Sequence, residues 1–256
     1  MSEQKSRTRT ARSHRAVSSD RLCESENSHK PDASAMMDHI SDSTVRRLSN
    51  YLRVLDELER ESDDLISSQG LAERSGVTPA QVRKDLSYFG SFGRRGLGYP
   101  VGHLRAEIRG ILGLNKRWRV ALVGAGNIGS ALFAYKEFAR QGFDIVAVFD
   151  SSPERIGERI GDLTIEPMAE FERICRAQDI EIGVIATPAR TAQEIADAMI
   201  RVGLRGILNF APRKLFVPPT VALRTVNMAI ELESLSFALA QAEQLRQGRR
   251  RFPLSD

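Results

Sequence analysis

The chain has 256 residues, 41% of them hydrophobic and 27% charged, with a formal net charge of +4. That length exceeds the usual size of one hydrophobic core, so two domains are expected, and no stretch reaches the roughly 18 consecutive apolar residues of a membrane span. The basic first residues lack the apolar run of a secretory signal, and Cys23 and Cys175 are the only cysteines. These features predict a cytoplasmic protein with two ordinary thiols and argue against a disulfide-built fold.

Residues 1–42 carry seven basic and seven acidic side chains with almost no apolar periodicity, and are predicted to form a disordered tail. From Ser43 the pattern changes: Val45, Leu48, Leu52, Leu55 and Leu58 recur at helical spacing. This predicts a first helix ending near Glu61, with Ser43 or Thr44 as its cap. A short second helix is expected over 68–74, stopped at Gly76, whose missing Cβ suits a left-handed turn. A third follows at once, with Thr78 as N-cap, Pro79 in the first turn, and Val82, Leu86 and Phe89 as one apolar stripe before Gly90. Helix, short helix, glycine turn and capped basic helix is the layout of a helix-turn-helix.

Residues 90–102 read GSFGRRGLGYPVG, five glycines interleaved with Phe92, Leu97, Tyr99 and Val101. A hairpin wing with Arg94 and Arg95 at its tip is expected, a flexible glycine linker being the alternative. A further helix from about Leu104 to Leu114 leads out of the domain. Between positions 77 and 119 nine Lys and Arg stand against Asp85 and Glu107, either a footprint for phosphates or a solvated basic face. On the third helix Gln81, Arg83, Lys84 and Ser87 lie off the apolar stripe, where Gln and Arg can address adenine and guanine edges. Tyr88 packs or meets a phosphate, and Arg94 and Arg95 can reach the DNA backbone or an adjacent minor groove.

From Trp118 strands and helices alternate: VALVG, a helix to about Gln141, IVAVFD, a helix over 167–177, IEIGVIAT, a helix over 191–202, GILNF and a last strand at 221–226. Such alternation predicts a parallel sheet with right-handed crossovers. A final helix over about 230–247 carries Ile230, Leu232, Leu235, Phe237, Ala238 and Leu239 on more than one face, which predicts that it packs on a second subunit.

Gly124, Gly126 and Gly129 form G-x-G-x-x-G, with Ala125, Asn127 and Ile128 between them, directly after an apolar strand and at the start of a helix. The first glycine permits the turn, the second lets backbone approach a pyrophosphate, and the third allows close helix–strand packing. Asp150 ends the second strand 21 residues after Gly129, where an acid accepts adenosine ribose hydroxyls; a strand-end turn is its bland alternative. An anion there repels the 2′-phosphate of NADP, so NAD is favoured. No metal site is expected. All four histidines, His14, His29, His39 and His103, precede this domain, and Tyr135 is followed four residues later by Ala139 rather than by the lysine of short-chain dehydrogenases. Carboxylates are the remaining acid–base groups, so catalysis is disfavoured.

Both halves, in this order, resemble the Rex family of redox-sensing repressors over about residues 43–245. The resemblance rests on QVRKDLSYFGSFGRRGLGY for the DNA-binding part and on VGAGNIGSAL, VFDSSPERIG and GILNFAP for the nucleotide part, the second of these contributing Asp150 and Arg155. It implies a homodimer centred on the nucleotide domains, with the last helices exchanged between subunits. NADH binding then releases a palindromic operator, whereas NAD+ binds more weakly and permits DNA binding. Thr187, Pro188, Asn209 and Phe210 lie where the nicotinamide should rest. Arg53 in YLRVL and Tyr135 in SALFAY match positions that couple nucleotide state to domain orientation. Where relatives can carry Asp as third partner, this chain has Asn227, which puts a charged contact with Arg53 in doubt.

The expected architecture is therefore α/β: a winged helix-turn-helix at 43–116, a Rossmann-like NAD(H) domain at 117–227, a domain-swapped C-terminal helix at 228–248 and a tail at 249–256. The expected function is a non-enzymatic repressor sensing the NADH/NAD+ ratio. A nicotinamide-dependent enzyme whose N-terminal helices mediate assembly, and a CoA-binding module, are the competing readings.

Overall fold

A computed structural model describes residues 40–93 and 97–251 of the chain, with side chains up to position 244 in the last segment. The tail predicted at 1–42 lies outside the described residues up to position 39, as do Arg94, Arg95 and residues 252–256.

The first helix, α1, spans Asp42–Glu61 and buries Leu48, Tyr51, Leu52, Leu55 and Leu58 along one stripe. Its cap is Ser41, whose Oγ accepts the Thr44 N–H at 3.2 Å, and not Ser43 or Thr44. Thr44 is instead turned inward within the first turn, where its hydroxyl accepts from Arg47 Nη2 at 3.1 Å. Val45 is exposed, and Tyr51 fills the centre of the stripe.

A two-residue strand β1 (Leu65–Ile66) precedes α2 (Ser68–Ser75), which ends at Gly76 with φ +68°. The next helix, α3 (Pro79–Ser87), has Thr78 as its cap, and Val82 and Leu86 are buried beneath it. The segment expected to be a hairpin wing is described only on either side of its tip. Its second arm, β2 (Tyr99–Pro100), pairs antiparallel with β1, Leu65 opposite Pro100 and Ile66 opposite Tyr99. A Cβ on Gly98 would stand 2.5 Å from the Ile66 carbonyl oxygen, so this close approach requires glycine. The following helix, α4 (Val101–Ile111), begins earlier than expected, because Val101 is buried and its N–H donates to Asp64 O at 2.9 Å.

One buried carboxylate ties this domain together. Asp85 is 0% exposed. It accepts from Arg47 Nε at 2.6 Å and Nη2 at 2.7 Å, from Tyr51 Oη at 2.8 Å and from Gln81 Nε2 at 2.7 Å. Burial alone would raise its carboxyl pKa, but the hydrogen bonds from Arg47, Tyr51 and Gln81 outweigh that and hold it below the ordinary carboxylate value. Burial and the Asp85 contact push the Tyr51 phenol above its ordinary range.

The second domain is a seven-stranded sheet in the order β5-β6-β4-β3-β7-β8-β9. Its strands are β3 (Trp118–Val123), β4 (Phe143–Asp150), β5 (Arg159–Ile160), β6 (Leu163–Pro167), β7 (Ile182–Ile185), β8 (Gly206–Asn209) and β9 (Ala222–Thr225). All neighbours are parallel except β5 and β6, a short edge hairpin absent from the sequence reading. Between β3 and β4 the expected single helix is broken near Tyr135 into α5 (Asn127–Ala134) and α6 (Glu137–Arg140). The helix expected from Pro167 starts at Phe171, because Pro167 ends β6 and a 3-10 turn intervenes at Met168–Glu170. It runs as α7 (Phe171–Ala177), and α8 (Ala192–Val202) joins β7 to β8. Successive β3 residues face opposite ways: Ala121 and Val123 join the core under α7 and α8, Val120 and Leu122 the core under α5.

The last helix, α9 (Met228–Arg251), leaves its apolar side chains uncovered, Leu232 and Phe237 being 68% and 66% exposed. On the sheet, an apolar hollow of about 390 Å³ lies open, lined by residues that include Val120, Phe143, Ile145, Val184 and Leu208.

Replacing Asp85 with Ala leaves Arg47 and Tyr51 without their acceptor and is expected to cost about 3 kcal/mol, the low end for a broken buried pair because Arg47 keeps some solvent. Chemical denaturation of the whole chain measures it. Since the folded carboxyl sits below its ordinary value of 3.8, the contribution is complete above that pH and is lost as pH falls through the folded value. Asp85→Ala should therefore also remove that part of the acid limb of stability.

Candidate nucleotide site and nucleic-acid interface

Reading the six parallel strands in chain order gives the arrangement 3-2-1-4-5-6, whose order reverses beside β3, between β4 and β7. In such sheets ligands bind in the crevice outside the carboxyl ends of the strands at that point. Backbone bonds from Gly124 N to Phe149 O and from Ala186 N to Val123 O, both 2.8 Å, hold the crevice walls together.

The three glycines have three different jobs. At Gly124 φ is +100° and a Cβ would lie 2.5 Å from Ala186 O. At Gly129 a Cβ would lie 1.8 Å from Gly124 O, so no larger residue lets α5 sit this close to β3. At Gly126 a Cβ would meet nothing within 4 Å. Its missing side chain is therefore irrelevant to the fold and leaves an open cradle. Gly126 also starts α5 without any side-chain cap on the first-turn N–H groups, which stay available to an anion. Ala125 is buried, whereas Asn127 and Ile128 stand exposed on that first turn.

Asp150 sits at the end of β4 beneath this loop. Its Oδ2 accepts the Ala125 N–H at 2.7 Å and its Oδ1 the Ser152 N–H at 2.9 Å. Each oxygen keeps a second lone pair and the residue borders the cleft, so it both fixes the loop and can accept ribose hydroxyls. Arg155 reaches the same loop, Nη2 donating to Ala125 O at 2.6 Å. Across the crevice, Thr187 Oγ1 is buried with no hydrogen-bond partner among the described residues. The cleft between these walls holds about 490 Å³, bordered by Asp150, Met168, Ala186, Thr187, Pro188 and Ile195 among others. An open glycine cradle, an uncapped helix start, an outward-facing carboxylate and an orphaned hydroxyl fit a dinucleotide.

Asn209 does not belong with them. It is 0% exposed, its Nδ2 donates to Ala211 O at 3.1 Å and Arg213 O at 3.0 Å, and its Oδ1 accepts the Ala211 N–H at 2.9 Å. Both donor hydrogens are consumed in stapling its own loop. Phe210 is half-buried against the core under α5.

On the first domain, α3 exposes Arg83, Lys84, Ser87 and, just past its end, Tyr88. Arg83 Nη1 donates to Ser68 Oγ at 3.0 Å and Ser87 Oγ to Lys84 O at 2.7 Å. Arg83 and Ser87, together with the second wing arm, border an open groove of about 700 Å³ that also includes Ser68, Phe92 and Tyr99. Gln81, expected beside them, is half-buried with its amide committed to Asp85. Arg94 and Arg95 lie outside the described residues.

Of the three residues expected to couple the domains, two border the same cleft. Arg53 of α1 and Tyr135 border one cleft of about 520 Å³ between the domains, together with Asp56, Lys136 and Glu137. Glu137 is held below the usual carboxylate range by its hydrogen bond from Gln141, then by Arg140 and the field of Arg53. Asn227 stands apart: its Oδ1 accepts the Ala229 N–H at 3.0 Å and so caps α9.

The network of Arg47, Tyr51 and Asp85 escaped the sequence reading. Its one visible signal was an acid placed between Val82 and Leu86, on the buried face of an otherwise basic helix.

The glycine geometry separates binding from folding. Gly126→Ala is expected to leave the melting temperature unchanged and weaken NADH binding at least about tenfold, because the Cβ enters the cradle. Gly129→Ala forces α5 off β3 and is expected to destabilise the domain itself. Thermal unfolding and fluorescence titration with NADH distinguish the two.

Comparison with known proteins accounts for both halves. Residues 39–87 match the family described as "Putative DNA-binding protein N-terminus" and residues 115–213 the family described as "CoA binding domain". Relatives named redox-sensing transcriptional repressor Rex include those of Desulforamulus reducens, 47% identical over 80% of this chain and 98% of the relative, and Desulfitobacterium hafniense, 48% identical over 77% and 94%. Among solved structures, the Rex-family repressor RSP in complex with NAD+ and operator DNA matches at 36% identity and TM-score 0.77, covering 84% of this chain and 99% of that one. RSP in complex with NADH matches at 35% and 0.74, covering 82% and 98%. With nearly half of its residues identical across four-fifths of its length, the chain belongs to the Rex family of redox-sensing transcriptional repressors.

Proposed function

We propose that this chain is a cytoplasmic, NAD(H)-responsive transcriptional repressor that acts as a homodimer on palindromic operator DNA and is released by NADH. The observation that carries the reading is the coexistence in one chain of an open glycine cradle over Asp150 and a helix presenting Arg83 and Lys84 to solvent. Among the described residues no helix is long and apolar enough to cross a membrane.

In this reading residues 124–129, Asp150, Arg155, Thr187, Pro188 and Phe210 hold the dinucleotide. The uncapped N–H groups of α5 receive the pyrophosphate, and the Asp150 carboxylate accepts ribose hydroxyls. That same anion argues against CoA, whose adenosine ribose carries a phosphate, although the family matched at residues 115–213 is named for CoA binding. In this reading the nicotinamide lies against the wall after β7, where Ala186, Pro188 and Ile195 are apolar lining that disfavours a positively charged ring and favours its neutral, reduced form. The redox state of the ligand thereby becomes a difference in affinity, which is all that a two-state protein needs in order to shift its conformation.

Arg83, Lys84, Ser87 and Tyr88, with Arg94 and Arg95, form the DNA-reading surface. Arg53 and Tyr135 couple the two domains across their shared cleft, and Asn227 acts through the start of α9. Uncovered apolar side chains on α9 and the open apolar hollow on the sheet support an exchanged helix: burying a leucine or phenylalanine contributes about 1.5–3 kcal/mol, so several of them favour a second copy over solvent.

Titrating NADH and NAD+ against a duplex selected by the protein from a random pool tests the reading. NADH should weaken DNA binding far more than NAD+ does; DNA binding indifferent to NADH would overturn it. Arg83→Ala should relax base preference, whereas Arg94→Ala should weaken all sequences evenly and reduce the salt slope. Deleting residues 228–256 should abolish the dimer in analytical ultracentrifugation.

A further inference from the structure

The recognition helix α3 is nine residues long, too short to be stable alone, so its setting depends on what it packs against. Its buried apolar residues, Val82 and Leu86, join the same core as the apolar stripe of α1 but supply little direction, since apolar contact is nearly isotropic. Asp85 lies between them and supplies the direction. Four donors reach its two oxygens, which offer about four lone-pair sites, so the carboxylate is saturated and its orientation is determined from three sides. Two of the donor residues, Arg47 and Tyr51, stand one turn apart on α1. The far half of that same helix carries Arg53 and Asp56 into the cleft shared with the nucleotide domain.

We infer that Asp85 is a positioning residue for operator recognition: it sets the rotation of α3 about its own axis relative to α1, and it withdraws Gln81 from base contact, leaving Arg83 and Lys84 as the readers. The inference rests on the repressor reading. Residues 83, 84 and 87 face away from the network, so a turn of α3 about its axis moves all three across the base edges together. Apolar side chains in place of Asp85, Arg47 and Tyr51 together would pack with little loss of stability, but they would not define that rotation. Gln81 Nε2 is held 2.7 Å from Asp85 Oδ1, which turns its amide toward the network and away from the exposed side of the helix. Because α1 is one continuous helix, a displacement of its Arg53 end also reaches the readers through this joint.

The test uses the full chain and two duplexes of equal length, one selected by the wild-type protein from a random pool and one scrambled. Affinities are measured across a salt series, below the melting temperature of every variant. Tyr51→Phe keeps the ring, the packing and the net charge and deletes one hydrogen bond to the carboxylate; Asp85→Asn keeps the shape. Each is expected to lower the ratio of selected to scrambled affinity about tenfold, the scale of a hydrogen bond to a charged group. Binding to the scrambled duplex, its salt slope and NADH binding without DNA should be close to wild type for Tyr51→Phe, because the phosphate-contacting side chains are untouched. Gln81→Ala should preserve the preferred base at every operator position. Equal losses on both duplexes, an unchanged ratio, or a new base preference in Gln81→Ala would each overturn the inference while leaving the repressor reading intact. A wild-type protein that selects no duplex would overturn both.

Discussion

The packing of α5 against the end of β3 is the constraint on which the sensing half depends. A helix start can serve as an anion site only if it is aimed at the crevice, and here the aim is set by an approach so close that a single methyl group at position 129 would collide with the carbonyl of Gly124. The same approach requires glycine at positions 124 and 129, whereas the loop lies open at Gly126. Asp150 then completes the geometry from the neighbouring strand, tying the Ala125 amide with one oxygen and the Ser152 amide with the other while the residue borders the cleft. Fold and binding surface are thus two aspects of one steric arrangement.

The reading half uses a different kind of constraint. Its core is a conventional apolar stripe along α1, but the relation of α3 to that stripe is fixed by a buried ionic contact. Such contacts add little to stability and much to uniqueness of arrangement when every lone pair is used. The wing is likewise anchored at a distance: its described strand pairs with the segment before α2, so wing and helix-turn-helix share backbone hydrogen bonds.

Much of this was legible in the sequence, and what was not has identifiable causes. Apolar strands of β3, β4, β7 and β8 announced themselves because strands apolar on both faces have no polar alternation to hide them. The caps Thr78 and Gly76 were readable because capping is local chemistry. By contrast, the β5–β6 hairpin is only a few residues long, although Gly161 with φ +57° marks its turn. The pairing of β2 with β1 joins residues more than thirty positions apart, which no local pattern encodes. Gln81 and Asn209 have surroundings that the sequence did not show, for a common reason. Both carry amides suited to a ligand, and both spend them on partners inside the protein, Asp85 in one case and the loop carbonyls of Ala211 and Arg213 in the other. Residue type gives capacity for hydrogen bonding; only the fold shows whether that capacity is already consumed.

The uncovered surface of α9 bears on dosage. On the proposed exchange, in which a second copy covers these leucines and this phenylalanine, the functional state depends on two chains and its population rises with chain concentration. At low abundance the functional species then varies as the square of the number of chains present. A modest change in expression is thereby converted into a larger change in promoter occupancy, before any nucleotide is bound.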